Sequence, residues 1–438
     1  MQIKSISVTN WKSISHTKIL YKNLLIFIGA NNSGKSSLMS AIIFFFNPQS
    51  FSKDYLRNPT LPFRIGTEFV SDDGILCELV IEKPTESDVL IFKLNSSGNE
   101  EIVTYDEYKE ILGHITILEI STYSKIPKDS AGLFLKKLFH YLETTYPSLC
   151  INEYFFEEKY LALENAHINK ASSRHIIFET IKYFNHLLQV NSIVEVNKLF
   201  IFLENPEIFL SPQEERELYD CLIKLSNIGV HIIIETQSSR FVGLKQYPSI
   251  TIAQLHRNQS DFFQFKGKLF SGDEIKNFNM NYWINTDRGE LFFAKKVILV
   301  EGQTDKMVLS YLAKLLKIFS YEYTVVECGS KSLIPQFSRL CNSFKIPYVA
   351  VYDKDNHEWR NEIEIENSNH KNKEIQKSID YRVGRYVEFY NDIEEEIYAS
   401  SRDRKSYRNK PFNALKTVMD ENFKIPSNLE NKIRKIWE

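Results

Sequence analysis

The sequence predicts an α/β protein of two units, and three observations carry that prediction. An apolar run, Leu24-Leu25-Ile26-Phe27-Ile28, feeds a glycine-containing loop that opens onto Leu38, Met39, Ala41, Ile42 and Phe45 at helical spacing. Strand and helix signals then alternate from about residue 198 to about 253, extending the parallel sheet that the first run begins. A second alternation from about 296 to about 352 starts afresh and marks a separate, smaller α/β unit.

The elements follow in order. Ile3, Ile6 and Val8 alternate with polar residues as a strand does, ahead of Asn10-Trp11-Lys12-Ser13-Ile14. Residues from about 65 to about 105 read as β-hairpins punctuated by Asp72-Asp73-Gly74 and Ser96-Ser97-Gly98-Asn99. Between about 130 and about 190 mixed apolar and charged runs such as Leu133-Phe134-Leu135-Lys136-Lys137-Leu138-Phe139 predict helices, an arm or insertion available for dimerisation or partner binding. Lys198–Leu203, Val230–Ile234 and Ile250–Ala253 are strands, with a helix near 213–227. In the second unit Lys296–Val300, Tyr323–Glu327 and Tyr348–Tyr352 are strands, separated by helices near 304–317 and 332–344. The polar stretch 354–380 is a loop or exposed helix, and the chain from about 385 onward is expected to be helical. The domains expected are 1–290 and 291–438.

Composition narrows the function classes. The chain has 438 residues, with Lys+Arg 54 against Asp+Glu 56 and a formal net charge of -2, so any polyanion site must be local. Five cysteines without a Cys-x-x-Cys pair argue against a disulfide framework or a cysteine zinc site and fit a reducing cytoplasm. No stretch reaches the roughly 18 uninterrupted apolar residues of a spanning helix, so no membrane association is expected.

Gly29-x-x-x-x-Gly34-Lys35-Ser36 is the P-loop pattern, set between a strand and a helix as its mechanism requires. Backbone N–H groups from Asn31 to Ser37 wrap the phosphates, Lys35 reaches their oxygens, and the Ser36 hydroxyl is offered to Mg²⁺. ATP is the expected nucleotide. Its Mg²⁺ needs a carboxylate at the end of another strand, and Glu204 supplies one after Leu199-Phe200-Ile201-Phe202-Leu203.

The run Leu203-Glu204-Asn205-Pro206-Glu207-Ile208-Phe209-Leu210-Ser211-Pro212 resembles the Walker B and D-loop segment of RecF/SMC-like ABC ATPases, and Asn10-Trp11-Lys12-Ser13-Ile14 resembles their N-terminal strand signature. Two positions depart from that family. Asn205 stands where a water-polarising glutamate is common, and Gln237 stands where the family has a switch histidine. An amide is no base, although Gln237 keeps the ability to hydrogen-bond a γ-phosphate. Slow hydrolysis or ATP-stabilised closure is therefore expected. Ala171-Ser172-Ser173-Arg174 is the nearest match to the signature motif that contacts ATP across a dimer, the alternative being a plain helix cap.

In the second unit, Glu301-Gly302 ends one strand, Asp305 follows in the next helix, and Asp353-Lys354-Asp355 ends another strand. Strand-end carboxylates on a parallel sheet converge at one edge, where oxygen ligands suit Mg²⁺ or Mn²⁺. Glu301, Glu327-Cys328-Gly329-Ser330-Lys331 and Asp353-x-Asp355 resemble the three motifs of a Toprim domain. Together with the upstream ATPase, the chain resembles the OLD (overcoming lysogenization defect) family of ATPase-Toprim nucleases found in bacterial antiviral systems such as Gabija-type and retron-associated ones.

That resemblance implies a RecF/SMC-like ABC ATPase domain followed by a Toprim domain, and a DNA endonuclease or nickase regulated by ATP and directed against phage. It implies that Glu301 is a metal ligand or general base, that Asp353 and Asp355 hold metal with Asp305 in support, and that Glu394 adds a further carboxylate. Lys410, in Lys410-Pro411-Phe412, would stabilise charge on the scissile phosphate, beside the basic run Arg402, Arg404, Lys405 and Arg408. The implied partners are a homodimeric or larger assembly through the ATPase domain and a defence protein, a retron reverse transcriptase with its DNA–RNA product or a helicase. The competing function is a non-nucleolytic, ATP-switched sensor or scaffold with a vestigial Toprim site. Topoisomerase and primase are less attractive, since no tyrosine-bearing cleavage domain or primase zinc motif is evident.

Overall fold

The computed structural model describes residues 2–48, 51–85, 89–120, 127–164, 170–193, 195–242, 244–267, 269–271, 286–398 and 410–438. The chain divides into two compact units, Met1–Lys266 and Gly267–Glu438.

The first unit is built on two sheets. In one, β1 (Gln2–Trp11), β2 (Ile14–Leu20), β4 (Phe63–Val70), β5 (Leu76–Lys83), β6 (Ile91–Ser96) and β7 (Asn99–Val103) run antiparallel in the order β2-β1-β4-β5-β6-β7. In the other, β3 (Leu24–Ile28), β8 (Thr116–Ile120), β9 (Leu199–Glu204), β10 (His231–Glu235), β11 (Ile250–His256) and β12 (Gln259–Gln264) are ordered β12-β11-β3-β10-β9-β8. All neighbours in it are parallel except β11 and β12. The first apolar strands thus belong to a different sheet from the strand that carries the glycine loop. Helix α1 (Lys35–Phe46) lies between the sheets and is buried on most of its circumference. Its core joins Trp11, Phe63 and Ile65 of one sheet to Phe27, Phe200 and Ile233 of the other.

The stretch expected to be helical folds into α2 (Tyr105–Leu112) just before it, then α3 (Pro127–Thr145), α4 (Glu153–Glu164) and α5 (Lys170–Val190). Helix α3 packs on β8, α4 packs on α3, and α5 bridges α3 to α6 (Pro212–Asn227). Helix α6 starts at a capping box, with Ser211 bonded to the Glu214 N–H and the Glu214 side chain returning the bond, and with Pro212 in its first turn.

The second unit holds a four-stranded parallel sheet, β14-β13-β15-β16, from β13 (Lys296–Val300), β14 (Tyr323–Glu327), β15 (Tyr348–Asp353) and β16 (Gly384–Phe389). Alternate residues Ile298, Val300, Val349, Val351, Val387 and Phe389 face a core shared with the helices Gln303–Leu315, Lys410–Val418 and Ser427–Trp437. The helix Ile334–Phe344 packs on β13, β15 and β16. The polar stretch near 354–380 folds as a helix, Glu362–Ser378, capped by Asn361.

Strand β16 corrects one expectation, for the chain after residue 385 was taken to be helical. Arg385-Tyr386-Val387-Glu388-Phe389 is a short parallel edge strand, and its leading glycine explains why it pairs. Gly384 faces Tyr348 across the ladder, where an added Cβ would come within 2.3 Å of the ring. On β13, an interior strand of the sheet, the buried Lys296 ammonium donates to the carbonyls of Trp437 (2.9 Å) and Ile436 (3.4 Å). Burial first, and the charge of Arg385 second, push Lys296 down to about 8.

Among the described residues no helix is long and apolar enough to cross a membrane.

Candidate functional sites

In the first unit the glycine loop sits between the end of β3 and the start of α1, as the motif predicts. Gly34 has φ 102°, and α1 begins without a side-chain cap, so its first-turn N–H groups are left for an anion. An added Cβ on Gly34 would fall 2.1 Å from Ser260 Oγ, and one on Gly29 would fall 2.2 Å from the Ala253 carbonyl. The hydroxyls of Ser260, Ser13 and Ser37 form a chain, Ser260 donating to Ser13 (2.7 Å) and Ser13 to Ser37 (3.0 Å). This chain fastens the Asn10–Ile14 segment to the loop and to β12.

Lys35 is buried and donates to the carbonyls of Gly29 (3.0 Å) and Ala30 (2.9 Å). Burial lowers its pKa, against the opposing charges of Glu235, Glu207 and Glu204. Ser36 donates to Glu235 Oε1 at 2.9 Å, and Lys35 Nζ lies 3.9 Å from the same oxygen. Glu235 and Glu204 occupy paired positions at the ends of the adjacent strands β10 and β9. Strand β10 stands between the glycine-loop strand and β9, so Glu235 is the carboxylate that meets Ser36. The sequence reading passed over Glu235, although it lies between the strand Val230–Ile234 and Gln237 and closes an apolar strand just as Glu204 does. Burial raises its pKa, opposed by Ser36 and Lys35.

The other expected residues gather here too. Gln237 donates its amide to Asn31 Oδ1 at 2.6 Å, and its N–H to Glu207 Oε1 at 2.8 Å. Asn205 has φ 44° and is buried, with Oδ1 left without a hydrogen-bond partner among the described residues, as is Glu235 Oε2. Arg174 of α5 donates to the Glu204 carbonyl at 3.2 Å, bringing the Ala171–Arg174 segment to the end of β9. A cationic loop, uncapped helix N–H groups and buried orphan polar atoms form the donor set that a nucleotide triphosphate with its cation takes up.

In the second unit the carboxylates converge at the C-terminal ends of β13 and β15. Glu301 Oε1 accepts from the Asp353 N–H at 3.0 Å, tying the two strand ends together. Asp305 is buried and accepts from the Gly302 N–H at 3.1 Å, so it also caps its own helix. The Gly329 N–H bonds the Glu301 carbonyl at 3.0 Å, which docks the second motif onto the first. Asp353 has its pKa raised well above the ordinary carboxylate range, by burial first and then by Asp305, Glu301, Asp392 and Asp355.

Asp392 is the carboxylate that the sequence reading passed over in favour of Glu394. Both are buried, but Asp392 joins the charges acting on Asp353. It lies 3.5 Å from His357 Nε2, whose Nδ1 faces Glu395 Oε1 at 3.1 Å. Asp355 has different company: Arg360 donates to its Oδ1 at 2.8 Å, and Lys331 donates to its Oδ2 at 2.9 Å. Among the described residues no group of three or more His, Cys, Asp or Glu side chains stands closed around a metal position. The like-charged oxygens around Asp353, those of Asp305 and Asp392 buried, are nonetheless the hard donors that a divalent cation neutralises. Lys410 begins the helix Lys410–Val418, but its side chain and the basic run 402–409 lie outside the described residues.

Comparison with known proteins finds a likeness for part of each unit. Residues 292–355 match the model of the "Overcoming lysogenization defect protein-like, TOPRIM domain", and residues 1–194 match an AAA ATPase domain. The OLD nuclease of Thermus scotoductus is 28% identical over 164 residues, covering 35% of this chain and 30% of that protein. The Old nuclease of Escherichia phage P2 is 24% identical over 193 residues, covering 42% of this chain and 32% of that protein. The chain thus aligns with about a third of the length of these curated relatives. Among solved structures, the SMC head domain from Thermotoga maritima aligns at TM-score 0.39 and 11% identity, covering 61% of this chain and 100% of that one, too loose a likeness to build on. The chain thus matches an AAA ATPase domain and, after it, an OLD-like Toprim domain, and is similar over part of their length to OLD nucleases.

Proposed function

We propose that this chain is a metal-dependent DNA endonuclease or nickase whose Toprim site is regulated by ATP bound at its ATPase domain, and that it serves as an antiphage defence effector. The observation that carries the reading is the gathering of Glu301, Asp305 and Asp392 around Asp353 at the strand ends, with Asp305 and Asp392 buried, a concentration of negative charge that folding alone does not reward. Glu301, Asp305 and Asp353 would hold Mg²⁺ or Mn²⁺, with Asp392 behind them, and the ion would polarise a phosphodiester and lower the pKa of an attacking water. The residues of the chain do the rest. Glu301 orients Asp353 through its N–H, Lys410 meets the charge growing on the scissile phosphate, and the basic run 402–408 holds the DNA backbone.

In the ATPase domain Lys35 and Ser36 would engage the phosphates and Mg²⁺ of ATP, with Glu235 beside them and Glu204 at the end of the next strand as carboxylates for the ion. Asn205 offers an amide where a base is needed, so hydrolysis is slow and bound ATP acts as a switch. Assembly as a homodimer or larger oligomer through this domain, and a defence partner such as a retron reverse transcriptase with its DNA–RNA product or a helicase, complete the proposal.

The test is nicking of supercoiled plasmid with Mg²⁺ or Mn²⁺, with and without ATP. Cleavage is expected from the native chain and is lost, by at least about a hundredfold, in Glu301→Gln and Asp353→Asn. Absence of cleavage under every metal, nucleotide and partner condition refutes the nuclease reading and leaves the ATP-switched sensor.

A further inference from the structure

Toprim resemblance assigns both aspartates of Asp353-x-Asp355 to the metal, yet the structure treats them differently. Asp353 sits among acids, whereas Asp355 sits between cations. Arg360 Nη2 donates to Asp355 Oδ1 at 2.8 Å. Lys331 Nζ donates to Oδ2 at 2.9 Å, and the Ser368 hydroxyl reaches the same oxygen at 3.2 Å. One cation therefore already occupies each oxygen of this carboxylate, and the Ser368 proton is shared between Oδ2 and the Lys354 carbonyl at 3.2 Å.

Lys331 is as fully committed. It is 6% exposed, and a lysine ammonium has three N–H donors. They go to the Asp353 carbonyl, to Asp355 Oδ2 at 2.9 Å and to Ser368 Oγ at 3.0 Å. A buried ammonium needs a countercharge, and Asp355 is the one it touches. The backbone agrees: Asp355 has φ 61°, and its N–H bonds the Asn391 carbonyl at 2.9 Å, which fixes the carboxylate where Lys331 stands.

We propose that Asp355 is not a metal ligand but the counter-ion of a built-in cation, Lys331, and that the Toprim site consequently holds one divalent ion per chain. Lys331 is a positioning residue: its ammonium holds the Asp353 carbonyl, and its charge offsets that of Asp355, which a second metal ion would otherwise balance. This deepens the nuclease reading and rests on it for the presence of the first ion.

The experiment is Mn²⁺ binding to the nucleotide-free full chain, followed by calorimetry and by electron paramagnetic resonance. Ions of this site are counted as those lost in Asp353→Asn. One ion is expected, with the spectrum of an isolated Mn²⁺, and Asp355→Asn should leave its affinity within threefold while Asp353→Asn weakens it at least tenfold. Two ions, an exchange-coupled spectrum, or a loss of more than threefold in Asp355→Asn overturns the inference and leaves the nuclease reading standing if plasmid nicking is seen. No Mn²⁺ binding sensitive to Asp353 overturns both. Should Asp355→Asn fail to fold because Lys331 is stranded, the native count and spectrum still decide, as does the double variant Lys331→Met/Asp355→Asn, which removes both charges and is expected to bind Mn²⁺ within threefold of the native chain.

Discussion

Replacing Gly34 by alanine should disable nucleotide binding through two separable causes. The backbone at Gly34 has φ 102°, a conformation that costs an alanine about 1–2 kcal/mol. The new methyl would also lie 2.1 Å from Ser260 Oγ, 2.5 Å from Ser260 Cβ and 2.9 Å from Ser13 Oγ, an overpacking that costs about 1–3 kcal/mol more. The sum, about 2–5 kcal/mol, is charged against the loop conformation that wraps the phosphates. At about 1.4 kcal/mol per tenfold, the Kd for a fluorescent ATP analogue should rise by at least about 30-fold. The companion variant Ser260→Gly removes the two shortest contacts and leaves Ser13 Oγ and the backbone strain in place. Gly34→Ala/Ser260→Gly should therefore recover most of the steric share, about five- to a hundredfold in Kd, and no more. Binding to Gly34→Ala within threefold of native, in a protein whose melting temperature is unchanged, would refute the reasoning about this loop.

Two further predictions concern the first unit. His231 is stacked on Phe200 at 4.3 Å, and burial pushes its pKa down to about 4 from 6.5. The unfolded chain then takes up a proton that the folded one refuses, so stability is full above about pH 6.5 and is lost as pH falls toward 4; urea midpoints should show about 2–3 kcal/mol less stability at pH 4.5 than at pH 7, and His231→Phe should abolish most of that difference. Asn205→Glu should accelerate steady-state ATP hydrolysis at least about tenfold by restoring a base beside Glu204, and an unchanged turnover measured by phosphate release would show that Asn205 is not what limits it.

Most of the parallel strands and both sites could be read from the sequence because each is local: an apolar run, a turn, and a charged residue at its end. The glycine loop is legible from eight consecutive residues, since its chemistry lies in backbone that glycine alone permits. What escaped depends on which strands become neighbours. Glu204 and Glu235 look alike along the chain, and only the insertion of β10 next to β3 decides that Glu235 meets Ser36. Asp392 and Glu394 are two residues apart, and the turn after β16 decides which one adds its charge to Asp353. Strand β16 itself was hidden because Gly384 reads as a turn until the ring of Tyr348 is seen opposite it. The pairing of Asp355 with Lys331 spans 24 residues and two loops, and no spacing rule announces it.

The bond between Lys296 and the last turn of the helix Ser427–Trp437 also governs timing. Lys296 opens the first strand of its unit, and the carbonyl that accepts its proton lies 141 residues later. On a ribosome the strand emerges with a charge it cannot yet bury, and the hydrophobic face of the sheet waits for Leu429, Ile433 and Ile436 to cover it. The strand whose tip carries Glu301 is thus completed by a segment 141 residues downstream of its first residue.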